Sequence, residues 1–144
     1  MQQFSRRSAW AVPLLVIIMI GAAALACSVE FSTAHFEDAA TYTDPRREDR
    51  TRVFTPDETV HVIVTLKDVE GTIPVKAVWK QVIVETEGDR ETEREVELFT
   101  QEQTSGNGTM IFEHAPPDAW EKAAYKVELY LDGDRRETVE FKVK

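Results

Sequence analysis

The chain has 144 residues, of which 42% are apolar and 30% charged, with a formal net charge of −9. That average joins two unlike parts: Ala9 to Cys27 is 19 uncharged residues, 17 of them apolar, whereas the 117 residues after Cys27 carry 42 apolar, 15 basic and 26 acidic residues, a net charge of −11. The later part can build one small core, which excludes a multidomain enzyme, a polytopic membrane protein and a wholly disordered chain, and its acidity excludes nucleic acid as a partner, because phosphate binding draws on clustered Lys and Arg.

The first element is an address. Arg6 and Arg7 form a positive start, Ala9 to Leu25 an apolar helix broken by Pro13 and Gly21, and Ala22, Ala23, Ala24 and Ala26 a stretch of small residues. This order predicts a signal peptide over 1–26, to be kept out of the fold. Its end, Ala24-Leu25-Ala26-Cys27, resembles the lipobox of bacterial lipoproteins. The resemblance implies cleavage between Ala26 and Cys27 and a diacylglycerol, with fatty acids of the palmitate class, on the Cys27 thiol. Two other fates fit the same residues. The apolar run, at about 1.5 Å rise per residue, nearly crosses a membrane and could stay as an uncleaved anchor, or an Ala site could be cut to release soluble protein. All three export the rest of the chain. Ser5-Arg6-Arg7 touches the twin-Arg export pattern, which Ser8-Ala9-Trp10 continues poorly. Cys27 is the only cysteine, so neither an intramolecular disulfide nor a Cys-rich zinc site can form.

Beyond Cys27 the dominant period is two. Residues 27–40 are read as lipidated Cys, tether and first strand, the strand covering Val29 to Phe36 with Phe31 as its anchor. Arg46, Arg47, Arg50 and Arg52, interrupted by Glu48 and Asp49, then read as a solvated mixed-charge loop. Val60, Val62, Val64 and Leu66 alternate with His61, Ile63 and Thr65, predicting a strand with one face buried and His61 facing outward. Val75, Ala77 and Trp79 share one parity and Val78, Val82 and Val84 the other, so the next strand is buried on both faces or carries a bulge. Val96 with Leu98, and Met110 with Phe112, mark two more strands. Pro117 to Ala124 has room for one helical turn. Tyr125, Val127, Leu129 and Leu131, then Val139, Phe141 and Val143, flank Asp132-Gly133 and predict a hairpin with a type I′ turn.

About seven short strands with a central Trp suggest an all-β, immunoglobulin-like antiparallel sandwich over 29–144. The stretches Val75 to Trp79, Trp120 to Gly133 and Val139 to Val143, with Phe54 to Asp57 before the Val60 strand, resemble immunoglobulin-like domains of exported bacterial proteins. This chain has Ala123 where those domains commonly have a Gly two residues before the Tyr. The resemblance implies a fold and an extracytoplasmic setting, and no single activity.

Candidate chemistry is sparse. His35, His61 and His114 lack metal-ligand spacing, no Gly-x-Ser-x-Gly is present, and neither a metal nor a cofactor is expected. Trp79, Trp120, Tyr125, Val127, Leu129 and Phe141 are expected in the core, with the Tyr125 hydroxyl bonded to backbone as in a tyrosine corner. Glu85, Glu87, Asp89, Glu91, Glu93, Glu95 and Glu97 recur every second residue. They are expected to guard an edge strand against self-pairing, with Glu85, Glu87 and Asp89 as a candidate weak cation surface. Asn107-Gly108-Thr109 matches a glycosylation sequon that a Gly-Asn-Gly turn explains equally well. The expectation for function is a monomeric, membrane-anchored, non-catalytic module facing outside the cytoplasm and binding a protein or ligand that the residues do not name. A carbohydrate- or cation-binding accessory module using Trp120 or the acidic hairpin is the alternative, and a small extracytoplasmic hydrolase the third.

Overall fold

The computed structural model describes the unit Ser32–Lys144. The address, the Ala26/Cys27 junction and Phe31 lie outside the described residues. The unit is all-β, and its strands are β1 (His35–Tyr42), β2 (Val53–Phe54), β3 (Val60–Lys67), β4 (Ile73–Glu87), β5 (Arg90–Ser105), β6 (Gly108–His114), β7 (Ala124–Leu131) and β8 (Asp134–Val143). They make two sheets, ordered β1-β3-β6 and β2-β8-β7-β4-β5. All pairings are antiparallel except that of β2 with β8.

The period of two sorts side chains between the sheets. Val60, Val62, Val64 and Leu66 of β3 are fully buried, as are Val75 and Ala77 of β4 and Val127 and Leu129 of β7, all in one cluster. Each such Val or Leu stabilises the fold by about 1.5–3 kcal/mol relative to exposure. The β7–β8 hairpin turns on Asp132 (φ 49°) and Gly133 (φ 87°), the two positive dihedrals that a type I′ turn requires. Alternation in β4 changes because Val78, on the outward parity, is itself buried beside Glu128. The bulge belongs to β5: Trp79 pairs with Phe99 and Lys80 with Glu97, leaving Leu98 as the extra residue.

Several expectations need correction. Among the described residues the first strand runs from His35 to Tyr42, past the expected end at Phe36, because Ala39 and Thr41 supply the inward positions opposite Val64 and Val62; the start expected at Val29 lies outside the described residues. The eighth strand, β2, is two residues long and too short to show a period. Pro117 to Ala123 forms bends and no helical turn, its Pro and Asp residues favouring turns. His61 is not solvent-facing: it is 6% exposed, on the outward side of β3 between Tyr42 and Glu113. There Ala40, Tyr42 and Ile63 form a second small core. The arginine loop folds back across it, with Arg47 donating to Thr65 Oγ1 at 2.9 Å and Arg47 and Arg50 lying 3.6 and 3.8 Å from Asp38. Asp44 ties that loop by accepting from the N–H groups of Arg46, Glu48 and Asp49. Although desolvation opposes it, these three donors hold the Asp44 carboxyl below its ordinary range.

Asn107 also has a structural task. Its side chain accepts from Val69 N–H at 2.8 Å and donates to Val69 C=O at 3.2 Å, clamping the β3–β4 loop to the β5–β6 turn. An amide engaged at both ends is a poor glycan acceptor.

Candidate interaction face

The residues expected in the core are all there. Trp79 is 1% exposed, and Trp120, Tyr125, Val127, Leu129 and Phe141 are buried with it. Trp79 lies between Phe99 (ring centroids 5.3 Å apart) and Trp120 (6.3 Å), with Phe141 edge-on at 6.2 Å. Each polar tip is satisfied: Trp79 Nε1 donates to Gln101 Oε1 at 3.0 Å and Trp120 Nε1 to the Glu58 carbonyl at 3.0 Å. Trp120, at 6% exposure, offers no ring face to a sugar. The Tyr125 hydroxyl donates to the Glu121 carbonyl at 2.7 Å, and burial pushes its pKa up. Tyr125→Phe is expected to lower stability by about 1 kcal/mol, or roughly 3–6 °C in melting temperature. A change below about half a degree would show that the bond contributes nothing.

The three histidines do not converge. His35 is exposed beside Asp68 (3.5 Å), His61 Nε2 is 3.3 Å from Glu113, and His114 packs against Phe99, its pKa lowered by burial. Among the described residues no group of three or more His, Cys, Asp or Glu is arranged to hold a metal ion. The acidic tract explains part of this. Gly88 (φ 66°) and Asp89 make a two-residue turn, so Glu87 pairs with Arg90, Glu85 with Thr92 and Val84 with Glu93. Glu85 and Glu87 therefore share one face of the ribbon, while Glu91, Glu93 and Glu95 share the other. Glu85 is taken up by Arg94 at 3.3 Å.

What the structure does assemble is the outer face of the five-stranded sheet. Lys80 and Lys126 stand directly opposite each other on β4 and β7, a repulsive arrangement on its own. Two carboxylates relieve it. Glu128 lies 2.9 Å from Lys80 and 3.6 Å from Lys126, and Glu95 is 3.4 Å from Lys80 and in close contact with Lys126. The result is a ring of alternating charge. Arg135 (3.1 Å) and the Tyr130 hydroxyl (2.9 Å) also donate to Glu128, which is 2% exposed. Burial by itself would raise the Glu128 pKa, but the hydrogen bonds and charges of Lys80, Tyr130 and Arg135 outweigh it and hold it at about 2. The bond to Glu128 raises Lys80 and Tyr130, and the bond to Lys126 lowers Glu95.

Next to the ring runs a cross-strand row, Val53, Lys142, Ala124, Val82 and Glu95. With Arg52, Val84, Glu93, Lys126 and Glu140 it lines an open groove of about 470 Å³. Val53 (48% exposed) and Val84 (52%) are two of the three large apolar side chains exposed among the described residues. Beyond Val82, which faces the first residue of β7, β4 and β5 continue as a free two-stranded arm carrying the acidic tract from Glu85 to Glu93.

Sequence reasoning missed this face. Lys126, Glu128 and Tyr130 occupy the outward parity of β7, where charge normally signals solvent. Only the register with Lys80 and Glu95 reveals a buried ring. No protein-family model and no curated protein matches the chain.

Proposed function

We propose that the protein is an exported lipoprotein, held to a membrane through lipid on Cys27, whose immunoglobulin-like domain binds a partner without catalysis. The strand orders β1-β3-β6 and β2-β8-β7-β4-β5 match an immunoglobulin-type sandwich in which a short parallel strand joins the edge of the larger sheet. Trp79 at the centre of β4 and the Tyr125 hydroxyl bonded to backbone four residues upstream support the same reading. The observation that carries the binding reading is the outer face of the five-stranded sheet, where a groove with exposed Val53 and Val84 lies beside the charged ring.

The anchor has a direct test. Mass spectrometry of the protein from its native membrane is expected to find an acylated N-terminal Cys27, and Cys27→Ala is expected to move most of the protein out of the membrane fraction. An intact Met1, or cleavage elsewhere, would sink the anchor. Photo-crosslinkers at Val53 and Val84 are expected to yield adducts that one at Thr109, on the other sheet, does not; equal yields would remove the face assignment.

A further inference from the structure

The two sheets end in four edge strands, and among the described residues β5 has the longest free edge. In β6 the carbonyls of Ile111 and Glu113 accept from the side-chain amides of Gln103 and Gln101, at 3.1 and 2.9 Å. In β1 the arginine loop returns alongside, with Thr51 N–H donating to the Thr41 carbonyl and Tyr42 bridging to Arg50. β2 is two residues long and covers the ten-residue β8 only at Lys142 and Val143. β5 is 16 residues long and pairs with β4 alone. We propose that its free edge from Arg90 to Glu97, which precedes the bulge at Leu98, receives an extended basic segment of a partner protein as a sixth strand of the sheet.

The hairpin geometry sets the register. A two-residue turn makes Glu87 and Arg90 a hydrogen-bonded pair, and such pairs then alternate along the ribbon. Arg90, Thr92, Arg94 and Val96 thus direct their N–H and C=O groups to β4. Glu91, Glu93, Glu95 and Glu97 direct theirs to the free edge. An added strand would bond these four residues, each facing a partner side chain on the same face at about 5.5 Å between Cα atoms. Glu95 is already held by Lys80 and Lys126, but no ion pair among the described residues involves Glu91, Glu93 or Glu97.

This placement selects the occupant. In any symmetric antiparallel pairing of two copies, edge-bonding positions meet edge-bonding positions, so glutamate would face glutamate and a second copy is repelled. A strand with Lys or Arg at every second position is attracted at each of them. Two of the three exposed large apolar residues also flank this edge, Val84 opposite Glu93 and Leu98 at its end, and they offer contact area to the intervening side chains. The mode is strand addition, with main-chain bonds for affinity and alternate side chains for selection.

The inference rests on the reading of the domain as a binding module, and its test is separate from that of Cys27. The full chain in nonionic detergent is titrated with fluorescent acetyl-(Thr-Lys)4-amide and with the same peptide N-methylated on each Lys backbone nitrogen, which keeps the charge and removes the edge bonds. The unmodified peptide is expected to bind in a salt-sensitive way and to slow hydrogen exchange at Glu91, Glu93 and Glu95. The methylated peptide and the Glu93→Lys variant are each expected to weaken binding at least about tenfold, the scale of losing one or two bonds to charged neighbours. Equal affinity for the two peptides would reduce the edge to a general acidic surface and overturn the proposal. So would absence of binding, or protection of the same amides by self-association of the chain without peptide. Each of these failures leaves the acylation of Cys27 standing.

Discussion

Trp79→Ala is expected to lower the unfolding free energy by about 3–5 kcal/mol, the range for deleting a large aromatic from a closed core. Trp79 is 1% exposed and is held in register between Phe99 on β5 and Val127 on β7, so its ring has partners on both neighbouring strands as well as Trp120 and Phe141. Its indole N–H also positions Gln101, whose amide in turn donates to the Glu113 carbonyl of β6. The ring thus ties β4 and β5 to the opposite sheet, and its loss leaves both a void and a loosened Gln101. Since a domain of this size has about 5–15 kcal/mol in all, the variant should be marginal near 37 °C. Urea unfolding followed by circular dichroism checks this, with a lower midpoint at unchanged slope as the expected result. A loss under about 1 kcal/mol would mean that the ring is not part of the core. Trp79→Phe, which keeps most of the apolar volume and loses the N–H, should fall between the two.

The prominence of Trp79 in the sequence and in the fold has one cause. Residues that alternate cleanly, such as Val60 to Leu66 and Tyr125 to Leu131, owe their burial to the pleat, which is local and therefore readable. Asp132-Gly133 was legible for the same reason, because turn chemistry depends on two adjacent residues. What escaped depends on pairing between distant strands. His61 alternates as an outward residue and is buried only because the arginine loop crosses that face. β2 exists only because β8 offers it an edge.

The acidic tract shows the same division. Its period of two was plain, but the turn places Glu85 and Glu87 on the face opposite Glu91, Glu93 and Glu95, a consequence of the two-residue connection at Gly88-Asp89. A longer loop could have reversed the relation. Glu128 was the least legible of all, since a glutamate between Val127 and Leu129 reads as the solvent side of a half-buried strand. Its burial follows from Lys80, Arg135 and Tyr130 arriving from β4, β8 and its own strand.

Glu128 therefore carries the largest expected pH effect. Its folded pKa, about 2, lies below the ordinary 4.5, so the folded state binds the proton less tightly than the unfolded state. The stabilisation this represents is fully present above about pH 4.5 and is lost as the pH falls toward about 2, with an upper bound of about 3–4 kcal/mol from linkage. Glu128→Gln keeps the volume and one acceptor but leaves Lys80 facing Lys126 with Glu95 as their single carboxylate and Arg135 without a counter-charge. Because Lys80 and Arg135 still reach water, the loss at pH 7 should be about 2–3 kcal/mol, below the full cost of stranding buried charges. As the pH falls to about 2 and below, the wild type and the variant should converge, since protonation removes from one what mutation removes from the other. Depressed carboxyls elsewhere, Asp44 and Glu95, titrate in both proteins, so the difference between the two pH–stability curves isolates Glu128 to the extent that its loss leaves them unchanged. Urea titrations at a series of pH values measure it, and parallel curves from pH 7 to 2.5 would show that the charge on Glu128 does not hold these strands together.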